Sequence, residues 1–186
     1  FSNLNQPSGP DIDCLQATIM NQAQFRKFPT HNSVVFNFVV DAIAAGELAA
    51  IRWYELRQDD ENSPWTIYQE GTYTSPVGGK HAFAGSMAMD SQGNIGMGYT
   101  TVSTTESIAI QYTGRLSTDP LNTMTVSETL IAQGSGNDPG NRYADYVRGN
   151  DCIAIAVALL VARWAAFYER PFCLHLAIVL IEEWRG

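Results

Sequence analysis

The chain has 186 residues, 45% of them hydrophobic and 11% aromatic, which is enough to build a good-sized core and too apolar for a disordered chain. Its formal net charge of −8, with Lys27 and Lys80 as the lysines, excludes electrostatic nucleic-acid binding, because phosphate neutralisation needs clustered cations. The low charged fraction of 16%, beside abundant Ser, Thr, Asn, Gln and Gly, is a composition shared by many secreted β-rich proteins. The chain opens at Phe1 without a signal peptide, so a processed product or a fragment is expected.

Residues 1–16, FSNLNQPSGPDIDCLQ, carry Pro7, Gly9 and Pro10 with little periodicity and read as an extended arm or linker, or as an ordered segment on the surface. A strand is expected over about 18–28, then a turn at 28–33. Val34–Asp41 is a β-branched and aromatic run, apolar on both faces, and predicts a buried strand. After a loop at Ala42–Gly46 come a strand over Leu48–Arg57, an acidic hairpin loop at Gln58–Pro64 and a strand over Trp65–Gly71.

The same plan then restarts. Strands are expected at about 82–89, 94–101, 107–114 and 127–133, an offset of about sixty residues from the first four. Asp90-Ser91-Gln92-Gly93-Asn94 is turn chemistry, with Asp90 bonding the backbone and Gly93 or Asn94 tolerating positive φ. It lacks the alternating carboxylates and distal Glu of a calcium loop. Alternation predicts Met87, Met89, Ile95, Met97, Tyr99, Ile108, Ile110 and Tyr112 on one face, and Ser86, Ala88, Gly96, Gly98 and Ala109 on the other. Neither face is charged, so burial on both sides is expected, with the small face admitting a close neighbour.

These periods define repeats at about 17–75 and 80–134, and Arg142-Tyr143-Ala144-Asp145-Tyr146 reads as the start of a third unit. The expected fold is all-β, with four-stranded antiparallel blades of β-propeller type in a domain over 17–150; a β-sandwich is the competing architecture. From 151 to 186 the rhythm stops. This apolar tail holds two apolar stretches, Ile153–Ala162 and Phe172–Ile181, each shorter than the roughly 18–20 residues of a membrane span, so membrane insertion is not expected. The tail reads as a helical hairpin on the body, as an interfacial pair, or as a segment foreign to the repeat through frameshift or fusion.

Cys14, Cys152 and Cys173 match no zinc or redox spacing and permit at most one disulfide. His31, His81 and His175 have no metal-ligand spacing, Ser86 lacks a nucleophile elbow and no glycine loop fits a nucleotide, so no metal or cofactor is expected. Trp53, Trp65, Tyr68, Tyr73 and Phe83 are candidates for a sugar-stacking platform if they reach exposed ends, although such residues more often fill a core. Trp53, Trp65, Tyr73 and His81 are the candidate ligand contacts.

IRWYELR followed by WTIYQEGTY, then KHAFAGSMAMDSQGNIGMGYTT, YTGRLSTDPLNTM and NRYADY, resembles bacterial secreted, sialidase-like (BNR-type) β-propeller surface proteins, many of them exported by type IX secretion. The resemblance covers about residues 15–148 and implies a propeller and a secreted or outer-surface location. This chain departs from the group after Tyr146, where Val147-Arg148-Gly149 and the apolar tail replace the expected aromatic-rich strand. A sialidase-like site needs arginines for a substrate carboxylate, a Tyr beside a Glu, and an acid/base Asp. The candidates are Arg52, Arg115, Arg142, Asp145 and Tyr146, with Tyr54 and Glu55 next to Arg52; adjacent strand residues point to opposite faces, so Tyr54 and Glu55 cannot share one centre. The leading expectation is a binding or adhesion module for a glycan or surface protein, within a larger chain or assembly that supplies further blades or secretion machinery. A sialidase-like glycoside hydrolase and a structural or exported cargo element are the alternatives.

Overall fold

The computed structural model describes residues 3–141 apart from 17, 20–22 and 45. The third unit at 142–146, with Arg142, Asp145 and Tyr146, and the tail at 151–186, with Cys152, Cys173 and His175, lie outside the described residues. Strands β1 (Gln24–Lys27), β2 (Asn32–Asp41), β3 (Ala49–Gln58) and β4 (Thr66–Tyr73) form one antiparallel sheet. β5 (His81–Met89), β6 (Ile95–Val102), β7 (Ala109–Arg115) and β8 (Val126–Gln133) form a second, and each sheet is a meander whose spatial order is its chain order. The protein is therefore all-β, without a helix among the described residues. The first strand is shorter than expected from 18–28.

Short polar side chains close the hairpins, which is why the strands end where they do. Asp41 Oδ1 accepts from the Ile43 and Leu48 amides, Asp60 Oδ1 from those of Asn62 and Ser63, and Asp90 Oδ1 from those of Gln92 and Asn94. Ser103 Oγ serves the Thr105 and Glu106 amides in the same way. Such local acceptors take up turn amides that the ladder leaves without a strand partner. In the β5–β6 turn the positive φ falls on Gly93, at 84°.

The two sheets lie face to face. Val35, Ile51 and Trp53 of the first sheet pack with Ala82, Met87, Met89, Ile95, Met97 and Tyr99 of the second. β6 is buried at all eight positions, so both its faces are covered as expected. The face assignment in β7 needs correcting. Gly98 stands opposite Tyr112, Thr100 opposite Ile110 and Met97 opposite Thr113, so Ile110 and Tyr112 share the glycine face, while Gln111, Thr113 and Arg115 join the methionines. Ala109, opposite Thr101, also lies on the methionine side, and Ile108 belongs to a different core cluster with Phe83 and Val102. The loop between β6 and β7 sets this register, and a bulky Tyr112 beside Gly98 fills the room that the missing side chain leaves.

Close approach of the sheets depends on the first strand of the second one. β5 carries a bulge between Phe83 and Ser86, with Ala84 in the left-handed region at φ 48°. A Cβ on Gly85 would lie 2.5 Å from Asn37 Oδ1 and 2.9 Å from Ile51 Cδ1, so with any larger residue those two side chains must shift for β5 to settle against β2 and β3. β2 itself is not buried on both faces. Val34, Phe36, Phe38 and Val40 are half-buried on the side away from the second sheet, where Tyr54 stacks between Phe36 and Phe38 with centroids 5.4 and 6.0 Å away.

The N-terminal segment packs as part of the core, because its few apolar residues converge. Leu4 and Ile12 pair through reciprocal backbone bonds of 2.7 and 2.8 Å, and both are buried with Cys14, Val39, Ala49 and Phe83. The Gln6 amide both donates to Asp138 O and accepts from Asp138 N, and Asp13 N donates to Asn141 O. The segment thus clasps the chain that follows β8.

Candidate functional site

The site begins at a buried carboxylate. Glu55 is fully buried on the inner face of β3, where its oxygens accept from Ser33 Oγ at 3.0 Å, Arg57 Nε at 2.6 Å and Gln69 Nε2. A buried charge survives only when it is paired and hydrogen-bonded, and three donors from β2, β3 and β4 meet that need. Positions 55 and 57 lie two apart on a strand and so share a face. Arg57, pinned at Nε, lays its guanidinium over the Tyr68 ring, 3.3 Å from the centroid. Tyr68 is thereby held as a rigid exposed aromatic.

On the opposite, outer face of the same sheet, where the register lines up Phe25, Val34, Leu56 and Ile67 in one row, further apolar groups reach the surface. Phe25 is 55% exposed, Trp65 41% and Ile67 57%, while Tyr68, beside Arg57, is 39% exposed. Phe25 and Trp65 meet edge to face at 6.4 Å. Exposed rings that hold one another in place offer flat apolar area with little rotamer entropy left to lose on binding. Of this group, Trp65 and Tyr68 were legible from sequence as stacking candidates. Phe25, Ile67 and Arg57 were not, since strand pairing decides which face each one takes: Phe25 and Ile67 one, Arg57 the other.

The other candidate residues have different surroundings. Trp53 sits in the core, 1% exposed, rather than at an exposed end, and Phe83 is equally buried. Tyr73 is half-buried; the Tyr99 hydroxyl lies 2.8 Å from both the Tyr73 hydroxyl and Glu128 Oε2, a bridge between the sheets. Burial pushes the Tyr73 and Tyr99 hydroxyls up from their ordinary value, so both stay protonated. His81 is half-buried and accepts from the Ala49 amide at Nδ1, 3.2 Å away.

The arginines are committed within the fold. Arg52 lies on the outer face of β3, bonded to the Tyr54 hydroxyl at 3.1 Å, to Thr72 Oγ1 at 3.2 Å and to the Glu70 carboxylate. The Tyr54 bond leads the causes that raise its pKa, so it is a permanent cation. Arg115 is 1% exposed at the end of β7 on the inner face, and donates to Asp119 O at 2.8 Å. Burial lowers its pKa from the usual arginine value, while the field of Glu55 opposes that shift. Arg52 and Arg115 therefore point to opposite sides of the first sheet's β3 and do not converge. Tyr54 and Glu55 likewise face opposite sides, as the alternation demands.

No group of three or more His, Cys, Asp or Glu that could hold a metal occurs among the described residues. Cys14 carries a free thiol that burial pushes up to about 11, which makes it a poor nucleophile at neutral pH. No helix among the described residues is long and apolar enough to cross a membrane. In comparisons with known proteins, no family model, no curated protein and no solved structure matches the chain.

Proposed function

We propose that this chain is a β-propeller-type binding module of a secreted or cell-surface protein, and that it engages a glycan or protein ligand through Phe25, Trp65 and Ile67. The observation that carries the binding reading is the exposed cluster of Phe25, Trp65 and Ile67, its two rings braced edge to face. Rigid aromatic platforms recognise sugar faces and apolar side chains alike. Two successive four-stranded meanders, offset by about sixty residues and stacked face to face, support the blade reading.

Binding is favoured over hydrolysis because Arg52 and Arg115, each hydrogen-bonded within the fold, lie on opposite sides of β3 and among the described residues do not share a pocket for a substrate carboxylate. The test is a glycan array probed with the protein and with a Phe25→Ala/Trp65→Ala variant. Signal on a defined set of glycans that disappears in the variant is the expected result; a blank array with unchanged partner capture by the variant would remove the platform from the account. A fluorogenic sialoside should remain intact, and turnover lost in Arg52→Ala would restore the hydrolase reading.

A further inference from the structure

The loop between β2 and β3 is held by two acceptors that belong to different sheets. Asp41 Oδ1, at the end of β2, accepts from the Ile43 and Leu48 amides at 3.1 Å each, and Ala42 N donates to Leu48 O at 2.9 Å. The next amide, that of the fully buried Ala49, donates outside its own sheet, to Nδ1 of His81 at the start of β5. Neighbouring N–H groups thus end on a carboxylate of the first sheet and an imidazole of the second. An imidazole accepts at Nδ1 only when its proton sits on Nε2; the imidazolium has two donors and no acceptor.

We infer that His81 is an acid-sensitive latch between the two sheets: neutral, it ties the start of β3 to the start of β5, and on protonation it lets go of Ala49 and frees the β2–β3 loop. The charged groups around it give the ring somewhere else to turn. Asp41 and Glu47, on the β2 side, both favour the imidazolium, whereas Lys80 next to it is paired with Glu106 at 2.8 Å. Val102, opposite His81 on β6, carries no charge. Burial outweighs the two carboxylates and holds the ring's pKa below its ordinary 6.5. Asp41, accepting two amides, stays ionised to below its ordinary 3.8. In the window between, acid removes the Ala49 bond and leaves the Asp41 bonds intact, so the loop loosens at one side only.

Amide hydrogen exchange followed by NMR on the intact chain at about pH 7 and about pH 5, each corrected for the intrinsic rate, tests this. The protection factor of the Ala49 amide should fall by about tenfold for each unit of pH below the ring's own titration midpoint, followed by its imidazole shifts in the same series, while amides of β6 keep theirs. In His81→Gln the carboxamide oxygen can accept without titrating, and the Ala49 protection should become flat with pH. The inference fails if the ring titrates with Ala49 protection unchanged, if the ring stays neutral to about pH 4, or if His81→Gln loses protection as the parent does.

Discussion

The two sheets have the same strand count and order, yet they solve burial in opposite ways. In the second sheet, small residues on one face and methionines on the other leave β6 buried at every position. In the first, one face of β2 and β3 carries Val35, Ile51, Trp53 and the Glu55 network into the interface, while the other keeps Phe36, Phe38 and Tyr54 half in water beside Arg52. A sheet inside a stack can take glycine and still pack on both sides. An outer sheet needs large rings that shield one another, and a cation over them, as Arg52 lies 4.9 Å above Tyr54.

The largest effects should come from breaking the inner side of that comparison. Met97→Ala removes a fully buried side chain between the sheets and should cost about 3 kcal/mol in urea unfolding. Phe38→Ala, on the half-exposed face, should cost only about 1 kcal/mol, despite deleting more atoms. Equal losses would mean that the outer face is as sealed as the inner one. Gly85→Ala comes next, at about 2 kcal/mol, because Asn37 and Ile51 must move to admit the methyl.

A smaller effect is set by pH. His81 and His31 both have folded pKa values lowered from 6.5, chiefly by burial, so the unfolded chain binds the proton first. Stability is then complete above about 6.5 and declines as pH falls through that value towards the folded pKa values. Asp41, Asp60 and Asp119 are lowered from 3.8, the first two led by backbone amide bonds and Asp119 by its bond from Thr125. Their contribution is present above about 3.8 and is lost below it, so urea midpoints should fall in two acid steps. A single step near pH 4 would mean that the histidines are as solvated in the fold as in the unfolded chain.

The sheets were legible in sequence because alternation, turn residues and the offset of about sixty residues all agree. What escaped was set by contacts distant in the chain. Leu4, Ile12 and Cys14 are isolated apolar residues in a Pro- and Gly-containing stretch, so nothing local distinguishes a clasp buried against Val39 and Phe83 from a linker. Tyr112 changed faces because the β6–β7 loop, not the pattern of β7, fixes register. At the site, Trp65 and Trp53 look alike as letters. Their fates diverge because Trp53 is central in β3 on the inner face, whereas Trp65 precedes β4 and stays 41% exposed beside Phe25.

Those two tryptophans supply the most direct measurement of the central claim, that the protein binds through its exposed aromatic platform: glycan-array signal for Trp65→Ala against the parent, with the urea midpoint recorded on the same samples. Trp65→Ala should lose the signal and shift stability by less than about 0.5 kcal/mol, as an exposed substitution does. A variant that keeps the parent's signal at an unchanged midpoint would contradict the account and move the binding surface elsewhere on the molecule.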